Sequence, residues 1–480
     1  MSNIKGTQKA QLSLQVLLVG FVSTIVLSGM VLWVDGYVTN IARSEQKALA
    51  FSIAEAGIEY YRWHLAHDSD DFQDGTGEEG PYIHAYFDKD NERIGEFELE
   101  ITAPSTSTGS GIVTIRSTGR VDGYEGLEKI IEVQMGLPSL ARFSAISNSD
   151  VRFGEGTITY GQVHSNGGLR FDGVANNIVT SGKYDYNDPD HSGANEFGVH
   201  THVSPVDDLP SEVSEPPVRT DVFKTGRRVG VPVVDFNSLT QDLANLKTLA
   251  QSSDGYYQGS SNDDGWHIVL KTSGKFDLYK VKKLENASYA CRSGMWQTGW
   301  GKWSVQNESL VSSNVDLPAN GVMFFEDDLW VEGQIDDARL TIAAGRFPEN
   351  PSTWANIILN EDLVYTNYDG ADVMALFAQG NILTGFDSAD YLDIDAAVIA
   401  QNGFVGRYYY KQQCGNNYQR DTISLYGMIA SNQRYGFAYS DGTGYANRVI
   451  TYDGELLYGP PPAFPTTGSE YEIISWEEVK

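Results

Sequence analysis

Between residues 12 and 34 the chain reads LSLQVLLVGFVSTIVLSGMVLWV, 23 positions with no charge. At about 1.5 Å of rise per residue a helix of this length covers about 34 Å, enough to cross the ~30 Å hydrocarbon core of a bilayer. The apolar run of a cleaved secretory signal is usually about 7–15 residues long and stops at a small-x-small site. This run is longer and stops at Trp33-Val34-Asp35, so a retained span from Leu12 to Val34, uncleaved or cleaved only at its tip, is expected. Lys5 and Lys9 before it nearly balance Arg43 and Lys47 after it, which leaves the positive-inside bias weak. The long Tyr-, Gly- and Asp-rich remainder is expected outside the cytoplasm, with residues 1–11 as a cytoplasmic tip.

Past Asp35 a helical pattern continues to about His67. Leu49, Ile53, Ala56, Tyr60 and Trp63 form one apolar stripe, and Phe51, Ala54, Ile58, Tyr61 and Leu65 form a second on the opposite side. Such a helix needs cover on both sides, either from this chain alone or from this chain and a second protein. An acidic loop follows (HDSDDFQDGTGEEG, 67–80), then alternating runs at Glu96 to Thr102, Gly111 to Thr118 and Leu127 to Gln134. These predict an antiparallel meander with one buried face, and residues 35–140 an α+β module.

From residue 143 the pattern changes to short apolar–polar runs that end in Asn-Gly, Gly-Gly or Ser-Asn. YGQVHSN at 160–166 returns as YGMIASN at 426–432, with looser echoes at ALFAQG (375–380) and AVIAQNG (397–403). Strand runs at 321–325, 338–344, 355–366, 371–384, 391–400 and 421–430 recur at the spacing of coils in a solenoid. The expectation is a right-handed parallel β-helix, with first coils at 141–182 and a main body at 321–460, followed by a tail at 461–480. In this alignment His164 takes the slot of Ala378, Ala400 and Ala430, and Ile399 faces the stack. Residues 183–320 are expected to form an inserted α+β subdomain. They hold the Pro-rich connector SPVDDLPSEVSEPP and a helix that starts at Ser238, capped with Gln241, with a Leu239, Leu243 and Leu246 stripe.

Charge narrows the range of partners. Thirty-four basic against 64 acidic residues give a net charge of −30, which repels phosphate backbones and makes nucleic acid an unsuitable partner. The two cysteines, Cys291 and Cys414, could pair in an exported chain or remain free thiols, and their spacing fits no metal motif. No nucleophile elbow, phosphate loop or metalloprotease helix is present, so no enzyme, cofactor or metal is expected. Asp393 and Asp395 share a strand face but read as solvated acids. DKDNERIGEFE (88–98) lacks the glycine an EF-hand loop needs at its sixth position. His200 and His202 also share a face, near Asp190 and His191, but lack a third spaced ligand. The best binding candidate is GMWQTGWGKW, where Trp296, Trp300 and Trp303 could stack on a sugar or anchor a protein contact, or else pack their own subdomain. Tyr408 to Tyr410 beside Cys414 are a weaker candidate of the same kind.

Two stretches carry a resemblance. A long amino-terminal helix followed by a short meander, with SIAEAGIEYY at 52–61 and IRSTGRV at 115–121, resembles the PilX-type minor pilins over about 130 residues. Prepilin processing expects Gly followed by Phe, with Glu at the fifth mature position, whereas here Gly6 precedes Thr7 and the fifth position is Gln11. The stretch from GVMFFEDDLW to AVIAQNGFVG, within about 321–440, resembles β-helical ectodomains of bacterial pilus-assembly or surface proteins. Together these imply a minor pilin-like or adhesin-like protein of the bacterial cell envelope. It would have a single membrane pass and an acidic ectodomain, would contact pilin or pilus-assembly proteins through its helix, and would meet a surface glycan or protein. The alternative is a membrane-tethered β-helix lyase or hydrolase acting on polysaccharide, which should gather acids and bases in one groove.

Overall fold

The computed structural model describes residues 5–104, 112–137, 139–236, 239–286, 288–292, 297–466 and 470–479. The chain is mainly β with one long amino-terminal helix, and it divides into two units. The first holds residues up to 103, residues 113–135 and the carboxy-terminal residues 471–480. The second holds 136–470, together with 104–112.

The first unit is built on α1 (Lys5–His67), a single unbroken helix. Its apolar amino-terminal half is long and apolar enough to cross a membrane: the best 18-residue window has a mean hydropathy of 2.3 and none of it is buried. The second half lies on a five-stranded sheet in the order β1 (Tyr82–Phe87), β2 (Arg93–Thr102), β3 (Ile112–Val121), β4 (Lys129–Gly136) and the last strand, Glu472–Val479. β1 with β2, and β2 with β3, pair antiparallel. The first strand and the last were not legible as strands. The last comes from the stretch expected to be a tail.

Ala50, Ile53, Ala54, Ile58, Tyr61 and Leu65 of the helix meet Phe97, Leu99, Val113, Ile115, Ile131 and Val133 of the sheet in one dry cluster. Two glycines set the helix-to-sheet distance. A Cβ on Gly57 would run into the Ser117 hydroxyl and come 3.0 Å from the Phe97 ring, and one on Gly119 would strike the Ala50 carbonyl. Phe51 packs edge-on to Trp476 with ring centroids 5.9 Å apart. This chain therefore covers most of both apolar stripes, and Trp63 is left 60% exposed.

The second unit is dominated by parallel ladders. Along one, the spatial order is Tyr256–Gln258, Val322–Phe325, Arg339–Ala344, Val373–Ala378, the end of Tyr391–Ala400, the end of Gln419–Ser431, Ala145–Ser147, Val163–Ser165, Val179–Ser181 and Arg227–Arg228. A second ladder runs through Gly265–Lys271, Leu329–Ile335, Ile357–Ile358, Ile382–Thr384 and Val405–Arg407. A third takes the start of Tyr391–Ala400, the middle of Gln419–Ser431, Gly444–Tyr452, Thr157–Tyr160 and Val174–Ala175.

Spatial order is therefore not chain order. The chain enters mid-stack at Ala145, climbs to Arg227, crosses to the opposite end at Tyr256, and returns until Ser431 meets Ser147. The phrases at 160–166 and 426–432 lie two rungs apart, with Ala145–Asn148 between them. Asn148 donates to Asn432 at 2.8 Å and Asn166 donates to Asn148 at 2.7 Å, an amide column along the shared corner.

Residues 183–320, expected as a subdomain, fall in the same unit as the ladders. Their strands at 227–228, 256–258 and 265–271 extend those ladders. An antiparallel excursion, Lys275–Leu284 with Val305–Asp316, projects from Gly265–Lys271. The helix Leu239–Ala250 forms, and Leu243 and Leu246 are buried. Ser238 and the side chains of Leu239 and Gln241 lie outside the described residues.

The register differs by one from the sequence alignment. Ala378 and Ala400 pair, but Ala430 pairs with Ile399, and Ile146 and His164 continue that column. Val398 and Ala400 belong to the large central cluster. Ile399 and Ala397 instead face a second cluster closed by Leu243, Leu246, Leu456 and Phe464. Ile399 is fully buried, but on the covered outer face rather than toward the stack.

Candidate functional site

The span ends differ in how far they are described. Val34 is exposed on α1; Leu12 lies in the same helix, but its side chain is outside the described residues. From Leu14 to Val38 the large apolar side chains are exposed, a surface that water would not tolerate and lipid or a partner helix would cover.

In the second unit, Cys291 and Cys414 form a disulfide with Cα atoms 4.4 Å apart, joining segments 123 residues apart in sequence. Around it, residues 297–303 are sewn to residues 408–410. The indole N–H of Trp300 donates to the Tyr409 carbonyl at 2.8 Å, and the Tyr409 amide donates to Gln297 Oε1 at 2.9 Å. The hydroxyls of Tyr408 and Tyr410 reach the carbonyls of Thr298 and Gly301, each at 2.8 Å. Trp300 and Trp303 are half-buried against a cluster of Trp330, Phe386, Tyr408 and Tyr410. Trp296 lies outside the described residues. Trp303 holds a left-handed backbone, φ 55°, and its carbonyl accepts from Trp330 Nε1 at 3.1 Å and Asn360 Nδ2 at 2.9 Å. Packing uses most of each of these aromatics, and both indole N–H groups are engaged within the chain.

Arg407, at the head of the tyrosine run, was missed by sequence reasoning because its local sequence reads as an exposed loop. It is fully buried and donates to Ser388 Oγ at 2.7 Å and to the carbonyls of Gly385, Phe386 and Asn417. Its guanidinium lies over the rings of Tyr410 and Tyr445, 4.9 and 5.7 Å from their centroids. Burial lowers its pKa. Among the described residues no carboxylate pairs with it, and carbonyl dipoles and ring faces hold the buried cation.

Asp393 and Asp395 separate. Asp393 is exposed, whereas Asp395 is enclosed and accepts from the Tyr365 amide at 2.9 Å and the Tyr368 hydroxyl at 2.7 Å. Burial raises the Asp395 pKa. Asp336 accepts from Asn367 Nδ2, 31 residues on, at 3.0 Å, and Asp369 from the Ala371 amide within its own turn at 3.1 Å. His164 is buried, 2.9 Å from Thr180 Oγ1 and 3.0 Å from Asn166 Oδ1, and burial lowers its pKa. It continues the corner's polar column. His200 and His202, which lacked a third partner in the sequence, converge with Asp188.

No family model and no curated protein matches the chain. Among solved structures, the competence-associated pilin ComZ from Thermus thermophilus is similar at a TM-score of 0.30 and 11% identity, over 90% of this chain and 98% of that one.

Proposed function

We propose that this is a single-pass, pilin-like protein of the bacterial cell envelope. Its role would be structural or binding, in type IV pilus-related assembly or surface attachment, with no catalytic step. The supporting observation is α1: one unbroken helix whose first half is bare and apolar and whose second half is seated through Gly57 and Gly119 on an antiparallel sheet. A helix of this kind can anchor in a bilayer, pack against like helices, and hold a folded domain at a fixed distance from the membrane. We read the three ladders as faces of a right-handed parallel β-helix, because parallel strands from successive passes pair in register around one apolar core.

Against polysaccharide chemistry, Asp395 is committed to Tyr365 and Tyr368, Asp336 to Asn367, and Asp369 to its own turn. A glycan or protein ligand would meet the half-buried rims of Trp300 and Trp303. The test is immunodetection in filaments sheared from cells and freed of membrane. Co-purification that is lost on deleting residues 12–34 supports the assembly reading, and consistent absence from sheared material contradicts it.

A further inference from the structure

Asp188, His191, Glu196, His200 and His202 come together where the hairpin Asp185–Tyr186/Glu196–Phe197 meets the parallel strands Leu169–Phe171 and Val199–His200. They form two overlapping triads, Asp188–His200–His202 and His191–Glu196–His202. Within each, the ligand atoms lie within 4.8 Å of one another. His200 Nε2 is 3.5 Å from Asp188 Oδ2, and His202 Nε2 is 3.5 Å from Glu196 Oε1. His191 Nδ1 is also 3.5 Å from Glu196 Oε1. Ligands at about 2.0–2.1 Å from a tetrahedral ion sit about 3.3 Å apart, so these pairs already have coordination spacing.

A second observation is independent of that spacing. Glu196 and His200 are 1% and 0% exposed, yet among the described residues Glu196 Oε2, His200 Nε2 and His202 Nε2 find no hydrogen-bond partner. Leaving buried polar groups unpaired costs several kcal/mol, and the His200–Asp188 and His202–Glu196 contacts, each at 3.5 Å, offset that only in part. The orientation also suits a ligand. His200 Nδ1 faces the Phe197 carbonyl at 3.2 Å and so carries the proton, which leaves the Nε2 lone pair directed into the cluster. Asp188 Oδ1 accepts from the Asp190 amide at 2.9 Å, which leaves Oδ2 toward His200.

The nearby cations are mostly occupied. Arg170 is 2.7 Å from Asp172 and 3.5 Å from Asp188, Arg152 is 3.0 Å from Asp172, and Arg434 is paired with Asp190. Glu196 forms its ion pairs with His191 and His202.

We propose that Asp188, His200 and His202 bind one divalent first-row transition ion, Zn2+ above all, with Glu196 closing the coordination and the half-exposed His191 over the mouth. Imidazole and carboxylate donors in this number select such an ion over Ca2+ or Mg2+. A closed set of this kind makes a structural clip, fixing the 187–195 loop to the strand edge.

The test uses the full-length protein in detergent micelles, stripped with chelator, dialysed and titrated with Zn2+ alone by calorimetry. Co2+ serves as a visible-absorption probe. The expected result is one equivalent bound, with the d–d spectrum of a four-coordinate site and a higher Tm in Zn2+. His202→Ala and Glu196→Gln should each weaken binding about 10–100-fold. His200→Ala tests folding as well as ligation, so the two partly accessible or isosteric variants carry the comparison. Two results would overturn the proposal: no saturable binding by folded wild type, or equal affinity in wild type and both variants. A stability that falls as pH rises through the imidazole range, without metal uptake, would also overturn it and assign the cluster to protonated histidines.

Discussion

Gly119 lies against the backbone of Ala50: a Cβ there would overlap the Ala50 carbonyl and stand 2.5 Å from the Ala54 amide nitrogen. Helix and strand approach this closely only because position 119 has no side chain. Gly119→Val should force the helix off the sheet and destabilise the first unit by roughly 1–3 kcal/mol. Thermal melts of the detergent-solubilised protein would check this, and an unchanged first transition would contradict the close seating.

Ile399→Asp would place a carboxylate among Ala397, Phe377, Leu243 and Leu246. The cost should be several kcal/mol unless the acid takes up a proton or the helix 239–250 detaches. Unaltered thermal stability, with helix 239–250 still protected from hydrogen exchange, would remove Ile399 from that face.

The one-residue register difference has a physical cause. Residues 396–400, AAVIA, are apolar on both faces because the strand is covered on both sides. Alternation then cannot tell inward from outward. Strand positions from 321 to 430 were legible because each run ends in small or amide residues at a corner. The stacking order was not, since the bond from Asn148 to Asn432 joins positions 284 apart, and no local pattern records which rung a corner will meet. In the sheet of the first unit, Tyr82–Phe87 alternates regularly in burial, but its exposed positions are Ile83, Ala85 and Phe87, so apolar and polar residues do not alternate along it, and the last strand follows its partner by more than 300 residues. His200 and His202 were visible as a same-face pair, whereas Asp188 and Glu196 reach them only through a hairpin.

The disulfide holds residues 297–303 against the tyrosine run. Non-reducing peptide mapping should recover Cys291 linked to Cys414, and by a chain-entropy estimate the bond contributes roughly 4–5 kcal/mol. Cys414→Ser should loosen the 297–303 segment to hydrogen exchange before the ladders. Two alkylatable thiols in undenatured protein would contradict the pairing.

His267 supplies a pH dependence. Burial disfavours its charged form, but Glu308 at 2.8 Å and Glu332 at 3.6 Å outweigh this and raise its pKa to about 9. A folded value above the unfolded one of about 6.5 gives stability that is complete below pH ~6.5 and lost as pH rises through about 9, on the order of 3 kcal/mol in all. His267→Gln should flatten that part of the stability–pH curve. A variant that tracks wild type between pH 6.5 and 9 would show that the histidine carries no charge there.

The proposed topology, an amino-terminal anchor with everything past it outside the cytoplasm, is tested most directly by protease added to membrane vesicles of defined orientation, with a tag on the amino terminus. Right-side-out vesicles should lose the domains from residue 35 onward and retain a short tagged fragment about the size of residues 1–34, while inside-out vesicles should protect the domains and lose the tag. The reverse pattern, or release of intact protein by a high-salt wash alone, would contradict the account.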